Sequence, residues 1–224
     1  MKNNEFSHIN EEEFLRGYAE FTVEIRPFII KKLVEEYRCA TSKNEKEMLL
    51  ILAIEQTFLF HETFAGFFQA IKDRRKRPLL QSLNSNGNIH NLYGSLKGKD
   101  AKAILSELNL PIEHLTPDVQ RQINEDFVKL AGLFQNSEFY NNMKNRFIPI
   151  FYKLKHKMLI YKNNQDEIQF VLEKEKEDKL SNGKPQDNAS LQDNIDYLFN
   201  MAKTFESVIQ NLIAVRLIEL QKGE

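Results

Sequence analysis

The fold is decided by residues 45–73, EKEMLLILAIEQTFLFHETFAGFFQAIKD. On a 100° wheel this stretch is apolar almost all round, which is the pattern of a helix enclosed by other helices. The exception is one polar stripe, Glu55, Glu62 and Gln69, spaced i, i+7, i+14 with Gly66 between. His61 lies off that stripe, among Leu50, Ile54 and Phe68. The spacing predicts the central helix of a bundle, with His61 as a core or interface histidine.

Toward the N-terminus, Thr41, Ser42 and Asn44 break the pattern, and Glu11 to Ala40 reads as a first helix. Asn10 is its expected N-cap, with Glu11, Glu12 and Glu13 at the positive end of the helix dipole. Pro27 is expected to kink this helix or split it, because proline lacks the N–H that the ladder needs. Toward the C-terminus the pattern ends at Lys72-Asp73-Arg74-Arg75-Lys76-Arg77-Pro78, and Asn84 to Lys99, with three Gly and four Asn, reads as loop. Asp100 is an expected cap for a short helix ending at Leu108. Thr116-Pro117 is a strong helix start, cap then proline, for a helix to about Phe134. A further helix is expected from Glu138 to His156. Short strand-like runs at Met158 to Tyr161 and Ile168 to Leu172 predict a small β-hairpin near residues 157–172. Residues 173–190 are charged and polar and read as a flexible loop. Leu191, Ile195, Leu198, Ala202, Phe205, Ile209 and Leu212 mark one face of a long final helix. The expectation is a single, mainly α domain over residues 1–224, a bundle of four to five long helices.

Composition agrees. Hydrophobic residues make up 42% of 224, with 17 Phe but only 8 Gly and 6 Pro, too few turn formers for an all-β chain. Cys39 is the only cysteine, so no intrachain disulfide forms, as fits a reducing cytoplasm. Residues 1–10 lack the apolar run of a signal peptide. The longest apolar run, Met48 to Ile54, is far short of the ~20 residues of a membrane span, so no membrane association is expected. Net charge is −1, which gives no global field toward nucleic acid. The distribution is uneven, however: residues 63–106 carry eight basic and two acidic side chains, and residues 139–165 carry six basic and none acidic.

Candidate chemistry centres on the helix ending at His156. Met143, Phe147, Ile150, Phe151 and Leu154 form its core stripe, and Tyr152 and His156 project together on the opposite side, edged by Arg146 and Lys153. His156 and Tyr152 are the catalytic candidates. Arg146, Lys153, Lys155, Arg74 and Arg75 are the candidate ligand- or phosphate-binding cations. The plainer reading is that cations at a helix C-terminus complement its dipole. The Glu55, Glu62, Gln69 stripe is expected to pair with cations of a neighbouring helix, the basic helix Lys144 to Lys157 being the natural one. No metal site or cofactor is expected: the only Glu-x-x-His is Glu5 to His8, and there is no glycine-rich phosphate loop or nucleophile elbow.

The string Tyr152-Lys153-Leu154-Lys155-His156 resembles the Tyr-Asn-Lys-x-Lys-His type found in uncharacterised bacterial helical proteins, themselves distantly similar to the HEPN superfamily of helical bundles. The resemblance implies a helical bundle and a place among bacterial toxin–antitoxin or phage-defence proteins, several of which are RNases. Those RNases carry an Arg separated from the His by four to six residues, whereas nine residues separate Arg146 from His156 here. The expected function is therefore a cytoplasmic, non-catalytic interaction module that forms a homo-oligomer or binds a protein partner. The alternatives are RNA binding or cleavage through the cluster around His156, and a small-ligand pocket lined by Phe.

Overall fold

A computed structural model describes residues 9–74, 79, 83, 89–135, 160–162, 168–170 and 195–222. The protein is mainly helical. Its first helix, α1 (Glu11–Tyr18), begins at Asn10, whose side chain accepts from the Glu13 N–H at 3.1 Å. A π turn, Ala19–Val23, leads directly into α2 (Glu24–Cys39). Pro27 sits inside α2 and leaves the Val23 carbonyl without its usual i+4 donor. The expected split therefore takes the form of a widened turn ending at that residue, a recognised way of absorbing a break in the ladder.

The chain reverses at residues 40–42 into α3 (Lys43–Asp73), capped by Ser42, whose Oγ accepts from the Glu45 N–H at 3.1 Å. α2 and α3 run antiparallel, and Arg26 Nη1 donates to Gln56 Oε1 at 3.1 Å across them. This bond places residue i of α2 level with residue 82 − i of α3, the sum of its two positions. A second helical pair follows. α4 (Ile89–Leu96) lies within the segment expected to be loop. Ile89, Leu92, Tyr93 and Leu96, at i, i+3, i+4 and i+7, are buried, so a helical period outweighs the glycine and asparagine content. α5 (Ala101–Leu108) starts at the expected cap, with Asp100 Oδ1 accepting from the Ala103 N–H at 2.7 Å. It ends at Asn109, which holds a left-handed φ of 49°. α6 (Pro117–Gln135) starts at the expected proline.

The long final helix, α7 (Ile195–Gln221), packs on α3, α2 and α6 and closes one continuous core. Phenylalanine fills it: Phe58, Phe60, Phe64, Phe67, Phe127, Phe134 and Phe205 are all buried. Phe64 of α3 and Phe205 of α7 stack at 4.1 Å between ring centroids. Of the segment 157–172, only Ile160–Lys162 and Ile168–Phe170 are described, with Ile160 opposite Phe170 in an antiparallel pairing. The rest of that segment, the expected helix Glu138 to His156 and the loop 173–190 lie outside the described residues.

α3 is also long and apolar enough to cross a membrane by length and composition. More than half of that stretch is buried against the other helices, as in the core helix of a bundle.

Candidate functional site

Arg74 requires a correction. It is buried rather than solvated, and its guanidinium is consumed inside the protein. Nε donates to Glu219 Oε2 at 3.0 Å and Nη2 to Glu219 Oε1 at 2.7 Å. Nη1 donates to the Leu108 and Ile71 carbonyls at 2.7 and 3.0 Å, and Nη2 to the Asn109 carbonyl at 2.8 Å. An arginine has five N–H donors, and all five are used, so none remains for a phosphate. The same side chain satisfies end-of-helix carbonyls of α3 and α5. Glu219 is shared with Arg216, whose Nη1 lies 3.0 Å from Oε2, and Arg216 Nε reaches Glu11 at 2.9 Å. Burial pushes the Glu219 carboxyl up, but the hydrogen bonds from Arg74 and Arg216 outweigh it and hold it below the ordinary range. Lys72, from the same basic run, is bound to Glu107 at 2.7 Å.

The other candidates divide sharply. Arg75, Arg146, Tyr152, Lys153, Lys155 and His156 lie outside the described residues. Glu55 and Glu62 are half-buried on α3, and exposed Gln69 donates to Asp73 at 2.8 Å. His61 is fully buried, as its apolar face predicts. The Tyr93 hydroxyl lies 2.7 Å from its Nδ1. Phe58 and Phe205 approach the ring edge-on at 4.9 and 4.8 Å. Burial lowers the His61 pKa to about 3, so the imidazole is neutral at physiological pH. Which of the two groups donates in this bond depends on the imidazole tautomer. Among the described residues Nε2 has no hydrogen-bond partner. Such a group is a core histidine.

A second buried polar centre joins α6 to α7. Asp126 accepts from Ser207 at 2.5 Å, from Lys129 and Asn211 at 2.9 Å, and from Gln122 at 3.1 Å. Burial raises its pKa and these donors more than reverse the effect. A serine against a carboxylate without an intervening base is a register lock rather than an activated nucleophile. No group of three or more potential metal ligands comes together among the described residues. The described grooves run along α6 and α1, and half-buried Phe14 is the one phenylalanine that lines them.

What remains is a surface that sequence periodicity did not pick out. On α2, Ile25 and Phe28 are 47% and 59% exposed; on α3, Met48 and Leu52 are 65% and 42% exposed. The two helices pack on each other and on α7, and these four residues lie on the surface that remains exposed. By the Arg26–Gln56 alignment, Phe28 and Leu52 lie within one helical turn of the same level. Met48 continues the i, i+7 series of Glu55, Glu62 and Gln69, so the polar stripe on α3 and this apolar patch belong to one solvent-facing side. The signal was present in the sequence: Ile25 and Phe28 lie on the side of α2 opposite buried Ile30 and Val34. No protein-family model, no curated protein and no solved structure matches the chain.

Proposed function

We propose that the protein is a non-catalytic helical interaction module that self-associates through the exposed surface of α2 and α3. The observation that carries this reading is the exposure of Ile25, Phe28, Met48 and Leu52 on that surface. Large apolar residues gathered on one face favour association, whereas scattered ones need no explanation. A formal charge of −1 over 224 residues adds no self-repulsion between copies. The buried groups Arg74, Glu219, Asp126 and His61 all face partners inside the fold.

Sedimentation velocity over a hundredfold range of concentration tests the reading. The wild type is expected to show a concentration-dependent monomer–dimer equilibrium. Phe28→Asp with Met48→Glu is expected to weaken it at least about tenfold, with helical content and thermal midpoint unchanged, because both side chains are exposed. A wild type that stays monomeric throughout removes the proposal.

The competing proposal is the HEPN-like one, in which Arg146, Tyr152, Lys153, Lys155 and His156 bind or cleave RNA beside a hairpin over residues 157–172. It is supported by the charge of residues 139–165 and by the string at Tyr152, and it no longer includes Arg74. Salt-dependent RNA binding and cleavage by wild type and His156→Ala test it, and identical behaviour removes His156 from any such site.

A further inference from the structure

The outer side of α2 carries a charge pattern that fits one arrangement of a second copy. Glu24, Phe28 and Lys32, at i, i+4 and i+8, form one exposed stripe, and Ile25 beside it is exposed as well. Lys32 Nζ lies 6.0 Å above the centroid of the Phe28 ring, so the cation flanks the apolar centre rather than pointing away from it. Each charge stands about 6 Å from Phe28 along the axis, one on either side, at 1.5 Å of rise per residue.

We infer that two copies associate antiparallel through α2, about a two-fold axis that passes by Phe28. The inference rests on the self-association proposed above. A two-fold contact requires a self-complementary patch, in which residue 28 + n of one copy faces residue 28 − n of the other. Phe28 then packs against Phe28 of the partner subunit. Lys32 faces the partner's Glu24, and Glu24 faces the partner's Lys32, so the same pair is made twice. A parallel arrangement would oppose Glu24 to the partner's Glu24 and Lys32 to the partner's Lys32, two like-charge contacts that disfavour it. Lys32 already bonds to Glu35 at 2.9 Å within its own helix, and in the dimer it bridges that residue and the partner's Glu24.

Charge reversal on the full chain tests the arrangement. Glu24→Lys and Lys32→Glu are each expected to weaken the dimer about tenfold, because each replaces two attractive pairs with two repulsive ones. An equimolar mixture of the two single variants is expected to form a heterodimer of wild-type affinity, since one pair then keeps its original sign and the other is restored with reversed sign. The double variant Glu24→Lys, Lys32→Glu is expected to recover as well. Circular dichroism accompanies each protein, and should Lys32→Glu fail to fold, Glu24→Lys against the double variant carries the comparison. A dimer that Phe28→Asp disrupts but charge reversal leaves unchanged, or one that the mixture does not restore, overturns the antiparallel arrangement and leaves self-association standing. A wild type without any dimer overturns both.

Discussion

At the scale of single residues, His61 and Arg74 show how burial changes what a polar side chain can do. His61 is neutral because its charged form cannot be solvated among Phe58, Phe205 and Tyr93. Its folded pKa, about 3, lies below the 6.5 of the unfolded chain. The unfolded state therefore takes up a proton first as the pH falls, and the stability linked to neutral His61 is complete above about pH 6.5 and lost progressively toward pH 3. The expected slope within that window is about 1.4 kcal/mol per pH unit. Urea unfolding of wild type and His61→Leu should give a stability difference that shrinks on acidification by about that slope, since other acid-sensitive groups cancel in the difference. A pH-independent difference would show that His61 is solvated. The sequence revealed that His61 sits on an apolar face but not that Tyr93 meets it, because the two are 32 residues apart.

At the scale of elements, the helix boundaries follow local chemistry, and their legibility follows from that. Asn10, Ser42 and Asp100 each accept a backbone N–H three residues on; Asn10 and Asp100 are legible as caps in the sequence, whereas Ser42 reads there only as part of a break. Pro117 marks a third start in the sequence. α4 replaces an expected loop because the spacing of Ile89, Leu92, Tyr93 and Leu96 outweighs Gly94, Gly98 and the four asparagines of the segment. Burial of those four side chains, a tertiary effect, pays the local propensity deficit. The end of α5 offers a test at this scale. Asn109 holds φ at 49°, which glycine adopts without steric penalty. Its carbonyl, which receives Arg74, belongs to the backbone and survives substitution. Asn109→Gly is expected to leave stability unchanged or raise it by up to about 1 kcal/mol. A loss above about 1 kcal/mol on thermal unfolding would mean that the asparagine side chain itself stabilises the turn.

At the scale of the whole molecule, the Arg74–Glu219 pair joins segments 145 residues apart. It ties the end of α3 to the end of α7, and through Arg216 to Glu11 it reaches the start of α1. Glu219→Gln keeps the shape and removes the charge, leaving two cations over one neutral amide. The expected cost is about 3–5 kcal/mol, the usual penalty for breaking a buried ion pair from one side. Arg74→Met with Glu219→Leu is expected to recover only part of it, because the Ile71, Leu108 and Asn109 carbonyls lose their donor. Chemical denaturation of the three proteins checks this, and full recovery in the double variant would show that the carbonyls find other partners. By itself, the sequence determined the helical class, the central place of α3, three capped helix starts and the core position of His61. These depend on periodicity and on groups within a few residues of one another. Only the tertiary structure decided that Arg74 is a strut instead of a phosphate ligand, that Asp126 holds α6 to α7, and that Phe28 and Met48 remain exposed. Those outcomes depend on which helices meet, and whether a cation finds a carboxylate or water is settled by residues far away in the chain.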